Sequence, residues 1–156
     1  MIKVDIPGRG RYELHNLVLD MNGTLAVDGI IPDQVLHRIE TLSQGLTVYL
    51  ITADTYGKLE SQKDKIAATI ERVHPPGEAL QKAAFIEKIG ASACIAIGNG
   101  SNDVEMLKKA QLGIVVIGGE GCATDALLAA DIIVNRSEDA LDLLANTKRL
   151  IATLRK

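Results

Sequence analysis

The stretch that decides the fold is Leu17-Val18-Leu19-Asp20-Met21-Asn22-Gly23-Thr24-Leu25-Ala26-Val27-Asp28-Gly29. Three consecutive apolar residues end on a carboxylate, and an Asn-Gly turn follows at once. An apolar run without alternation suits a strand buried on both faces, as in a parallel sheet covered by helices. A carboxylate at the end of such a strand faces the edge where open α/β sheets bind ligands. The turn also has a purely structural reading, because Asn-Gly is a favoured turn dipeptide and an Asx turn would leave Asp20 an ordinary acid. Residues further along decide between the two.

Working outward, short β-rich runs alternate with helical patterns, the signature of βαβ units. IKVDI (2–6) and YELHN (12–16) flank PGRGR and predict an opening hairpin. After the central strand, helix is expected from about Pro32 to Gln44, strand in TVYLIT (47–52), helix from about Thr55 to Thr69, and a short edge strand near ERVH (71–74). The pattern resumes with helix to Ile89, strand ACIAIG (93–98), helix near Asp103 to Lys109 and strand GIVVIG (113–118). It closes with helix at ATDALLAA (123–130), strand DIIV (131–134), and a helical tail from Ser137 to Arg155 broken near Asn146-Thr147. No repeat or linker interrupts it. We expect one α/β domain over residues 1–156, a three-layer Rossmann-like sandwich with a mainly parallel sheet.

The composition agrees. The chain has 156 residues, 47% apolar but only 3% aromatic, so its core is built from Val, Ile, Leu and Ala. A net charge of −3 without a Lys/Arg cluster argues against nucleic acid or an anionic membrane as partner. The N-terminus carries no apolar signal core, and no run approaches the roughly 18 apolar residues that span a bilayer. A cytoplasmic protein with a small-molecule partner is expected; a homo-oligomer stays open. Cys94 and Cys122 lack metal spacing and read as reduced bystanders.

Three predicted strand ends carry what phosphoryl transfer needs: Asp20, Thr52, and Gly98-Asn99-Gly100-Ser101-Asn102-Asp103. A carboxylate can attack phosphorus and form an acyl phosphate, and the turn Asn22-Gly23-Thr24 can point N–H groups at phosphoryl oxygens. Thr52 can donate a hydrogen bond, Lys82 can offset the gathered charge, and Asp103 can hold a hard divalent cation such as Mg²⁺. Singly, each is ordinary: Thr52 a strand end, Lys82 a solvated helix charge, the glycine loop a helix cap. Their ordered recurrence at strand ends makes the bland account the poorer one.

On these residues the chain resembles the haloacid-dehalogenase-like superfamily of aspartate-nucleophile phosphotransferases. DMNGTL, the Thr of ITAD, Lys82, and GNGSNDVEML followed by AQLGIVV and AADIIV carry the resemblance, from about Leu17 to Val134. Within it the chain is most similar to soluble proteins related to the phosphorylation domain of P-type ATPases. The resemblance implies Asp20 as nucleophile and metal ligand, the Asn22 carbonyl as a second ligand, and Asn99 and Asp103 in the metal site. Gly23, Thr24, Thr52, Ala53 and Lys82 become the phosphate contacts. The short interval from Asp20 to Thr52 implies a capless core with a small flap hairpin, LAVDGII, tipped by Asp28-Gly29, open to water and to bulky substrates.

Two departures stand out. Many phosphatases of the superfamily have Asp at the positions of Asn22 and Asn99. An amide cannot exchange a proton near neutral pH, and losing a general acid/base costs about 10²–10⁴-fold in rate. The expected function is therefore a slow or selective Mg²⁺-dependent phosphatase or phosphotransferase acting on a small phosphorylated molecule. A non-catalytic phosphate-binding or regulatory module competes with it. A dinucleotide-binding turn in GIVVIGGEGCATDALLAA competes weakly, since Thr124 replaces its third glycine and no acidic strand end follows at the expected distance.

Overall fold

The computed structural model describes residues 1–53 and 57–156. Strands β1 (Ile2–Ile6) and β2 (Gly10–Leu14) form an antiparallel hairpin. Then come β3 (Asn16–Asp20), α1 (Asp33–Ser43), β4 (Thr47–Thr52), β5 (Thr69–Arg72), α2 (Glu78–Ile89), β6 (Cys94–Gly98) and α3 (Val104–Lys109). The chain continues with β7 (Leu112–Val116), α4 (Thr124–Ala129), β8 (Ile132–Val134), α5 (Ser137–Ala145) and α6 (Thr147–Leu154). Six strands make one sheet in the order β5-β4-β3-β6-β7-β8, every neighbouring pair parallel. The expected Rossmann-like α/β sandwich is the observed fold.

The two faces of β3 explain its unbroken apolar run. Leu17 and Leu19 point into a core shared with Ile39 of α1, Leu141 of α5, Leu150 of α6, and Ile6 and Leu14 of the hairpin. Val18, one residue out of phase, points into the other core with Phe85 and Ile86 of α2, Met106 of α3 and Ala126 of α4. Successive side chains of a strand face opposite ways, so a strand between two helical layers has no polar side. On that second face Tyr49 of β4 meets Phe85 edge-on, with ring centroids 5.1 Å apart, which seats α2 against the sheet. Lys82 lies three residues before Phe85, on the same helix face, and is carried inward with it.

Two expectations need correction. The helix predicted from Thr55 to Thr69 begins outside the described residues, and from Gly57 onward the chain makes two short 3₁₀ turns, Leu59–Ser61 and Lys63–Lys65. The reason is tertiary. Gln62 is buried, accepting a hydrogen bond from the Ile31 N–H at 2.9 Å and donating to the Gly29 carbonyl at 3.1 Å, which a regular solvent-facing helix would not allow. The edge strand also starts two residues earlier than expected, at Thr69. The flap is as predicted: Val27 and Ile30 exchange backbone hydrogen bonds around Asp28 and Gly29, whose φ angles of +52° and +79° are those of a tight hairpin turn. Among the described residues no helix is long and apolar enough to cross a membrane.

Candidate active site

Parallel strands bring the ends of β3, β4 and β6 to one edge of the sheet, and the strand order reverses between β3 and β6. A ligand crevice belongs there. Asp20 ends β3 and is 5% exposed; Thr52 ends β4 beside it and is also buried. From α2, Lys82 Nζ donates to Asp20 Oδ1 and to Asp103 Oδ1, each at 2.7 Å. The side chains of Lys82, Asp20 and Asp103 are 1%, 8% and 0% exposed.

Two carboxylates thus share one cation. Burial pushes the Asp20 carboxyl upward, the charge of Asp103 adds to this, and Lys82 only partly opposes it. Burial pulls the Lys82 ammonium down, but its two carboxylate partners outweigh that and raise it. Lys82 is therefore a permanent cation, and Asp20 is the acid that gives way. Asp103 is saturated by protein donors, since its Oδ2 accepts from the N–H groups of Asn99 and Gly100, both at 2.9 Å. It fixes both Lys82 and the loop after β6.

On the other side of Asp20, the Thr24 hydroxyl lies 2.9 Å from Asp20 Oδ2 and 3.0 Å from Asn99 Oδ1. Asn99 Nδ2 donates to the Gly121 carbonyl at 3.0 Å, which orients the amide so that its oxygen faces Thr24. One hydroxyl proton serves two acceptor oxygens. Nearby, Asn22 Oδ1 is buried with no hydrogen-bond partner. The single Thr24 proton between Asp20 Oδ2 and Asn99 Oδ1 leaves these oxygens short of donors, which is the chemistry a hard cation satisfies. Among the described residues no three His, Cys, Asp or Glu side chains converge on a metal position, so a cation here relies on one carboxylate supplemented by amide and carbonyl oxygens.

Gly23 is required sterically. Its φ is +77°, and a Cβ would stand 2.4 Å from Asn99 Nδ2. Its N–H donates to the Ala26 carbonyl at 3.0 Å, so it contributes space to the site rather than a free donor. Of the residues singled out in the sequence, Asp20, Thr24, Lys82, Asn99 and Asp103 form one bonded cluster; Gly23 packs on it, while Thr52 and half-buried Ala53 follow at the neighbouring strand end. The Asn22 side chain makes no bond to the cluster. Sequence reading missed Gln62, Lys58, Glu120 and the Gly121 carbonyl; a polar residue in the middle of an otherwise charged segment was the only hint for Gln62. Cys94 and Cys122 are free thiols.

A buried Asp-Lys-Asp cluster sits at the switch point of an open parallel sheet, with one of its carboxylates at the end of the central strand. Residues 76–140 match the model of the haloacid dehalogenase-like hydrolases. A protein of Methanocaldococcus jannaschii is 57% identical over 61 residues, covering 39% of this chain and 66% of that protein. Copper-transporting ATPase 2 of Rattus norvegicus is 29% identical over 140 residues, which are 85% of this chain and 9% of the transporter. The 3-deoxy-D-manno-octulosonate 8-phosphate phosphatase of Moraxella catarrhalis superposes with a TM-score of 0.66 at 19% identity, covering 91% of this chain and 94% of that one. The phosphatase structure holds magnesium, phosphate and the sugar. The chain is thus similar to the haloacid dehalogenase-like hydrolases in sequence over residues 76–140 and shares the fold of this phosphatase over nearly its whole length. The enzyme reading of the sequence accords with it.

Proposed function

We propose that the protein is a Mg²⁺-dependent phosphatase or phosphotransferase that works through an aspartyl-phosphate at Asp20 on a small phosphorylated molecule. The observation that carries this is the double contact of Lys82 with Asp20 and Asp103 at the end of the central strand. In the first half-reaction the Asp20 carboxylate attacks phosphorus and the bond to the leaving-group oxygen breaks. In the second, water attacks the same phosphorus and the carboxylate departs with inorganic phosphate released. Lys82 offsets the charge gathered on nucleophile and phosphoryl group, and Asp103 holds Lys82 in place. Thr24 orients Asp20, and Thr52, Ala53 and the turn around Gly23 are assigned to the phosphoryl oxygens.

Asp20, the Asn22 carbonyl and Asn99 would hold Mg²⁺, which supplies charge stabilisation for the phosphoryl oxygens when bound. Asp103, expected as a direct ligand, would act on the metal site through Lys82 and the loop N–H groups that occupy its oxygens. A cavity of about 190 Å³ beside Gly23 and Thr24, walled by Val27, Gly119, Arg136 and Glu138, offers room for a leaving group. The similarity to the transporter segment supports a place among soluble relatives of the P-type phosphorylation domain. The same reading puts the protein in the cytoplasm, the compartment that free cysteines suit.

Asp20→Ala should abolish Mg²⁺-dependent turnover of an aryl phosphate while leaving the thermal unfolding transition cooperative. Activity near wild type in that variant would remove Asp20 from the reaction.

A further inference from the structure

The flap crosses the site as a strap tied at both sides. In the order β4-β3-β6-β7, Asp20 and Asn99 lie at the ends of the two middle strands, and the flap tip bonds to the segments that follow the two outer ones. On the β7 side, Glu120 Oε1 accepts the N–H of Asp28 at 2.8 Å. On the β4 side, Lys58 Nζ donates to the carbonyl of the same residue at 2.9 Å. Gln62 holds the strap from beneath through Gly29 and Ile31, as described above. These ties differ in kind. Gln62 is buried and part of the fold, whereas Glu120 and Lys58 are exposed residues whose charges meet neutral backbone groups of a single tip residue. Asp20 itself is 5% exposed. The hairpin expected to leave the site open is pinned on both sides, and without moving its tip a leaving group has the cavity of about 190 Å³ beside Gly23 and Thr24.

We propose that Glu120 is a specificity-determining positioning residue: by latching Asp28 it sets the size of phosphorylated molecule admitted to Asp20, favouring small acyl phosphates over bulky esters. Lys58 is the opposite half of the latch. The inference rests on the phosphatase reading above. It adds a determinant on the loop after β7, far in sequence from the nucleophile and outside the reacting groups.

The test combines amide hydrogen exchange at Asp28 with kcat/KM for acetyl phosphate and p-nitrophenyl phosphate in the wild type, Glu120→Ala and Glu120→Gln. Loss of one exposed, charge-assisted hydrogen bond should speed exchange at Asp28 by about 5- to 10-fold in Glu120→Ala. The ratio of aryl to acetyl phosphate specificity should rise with it. Lys58→Ala should act in the same direction. Glu120→Gln keeps an acceptor oxygen and should restore both readouts toward wild type. Unchanged exchange would overturn the latch, and so would faster exchange with an unchanged ratio. If no form of the protein consumes either phosphate, the phosphatase reading falls by itself, and the exchange result alone decides the latch.

Discussion

At Asp20 the count of buried charges sets the chemistry. Two acids and one cation leave the cluster one proton short of neutrality, and the acid that gives way is the proposed nucleophile. This has a consequence for stability in metal-free protein. The Asp20 carboxyl is raised from its ordinary 3.8 to about 6, so between those values the folded state binds more proton than the unfolded. Stability contributed by Asp20 is then full below about pH 4 and is lost as pH rises through 6. Measured in chelator by urea unfolding, the wild type should lose stability relative to Asp20→Asn across that window; a flat difference would contradict the charge count. The neighbouring amides act on rate. In the proposed reaction Asn22→Asp introduces a proton-exchanging group that an amide cannot supply, and Asn22 Oδ1 makes no hydrogen bond that the substitution would break. Turnover should increase, by up to about 10²-fold, and more for alkyl than for aryl phosphates because only the poorer leaving group needs a proton. No gain on either substrate would place the limit elsewhere in the site.

Elements divide into those whose local pattern agrees with their surroundings and one whose pattern does not. β3 was legible because burial on both faces leaves an unmistakable apolar run, and α2 because Glu78 and Gly90 bracket it, the latter stopping the helix at φ +97°. The segment after β4 was misread as helix because its partner, the flap backbone, lies about thirty residues earlier in the chain. Gln62 makes its two bonds to Ile31 and Gly29 only in the folded protein, and no local signal announces them. Gln62→Ala would strand a buried N–H and a carbonyl, at a cost of about 1–3 kcal/mol. Equilibrium urea unfolding should register that loss, and a change below about 0.5 kcal/mol would show that the flap is held chiefly by its own hairpin.

For the whole molecule, the sheet order accounts for the site. Because every strand of the main sheet is parallel, residues far apart in sequence arrive at one edge: Asp20, Thr52, and the Asn99 to Asp103 loop, with Lys82 delivered by the helix preceding β6. That convergence was readable from residue types at predicted strand ends. The saturation of Asp103, the turn of Asn99 toward Thr24 and the ties of the flap tip to Glu120 and Lys58 were not, since each depends on side-chain directions that only packing decides. The proposed reaction turns on one covalent bond, between Asp20 and phosphorus. The direct measurement is to expose the protein to acetyl phosphate and Mg²⁺, quench in acid, reduce with borohydride and map the peptides. An aspartyl-phosphate reduces to homoserine, and the account predicts homoserine at position 20 alone. Turnover of the substrate with label at another acid, or with Asp20 never modified under any quench, would contradict it.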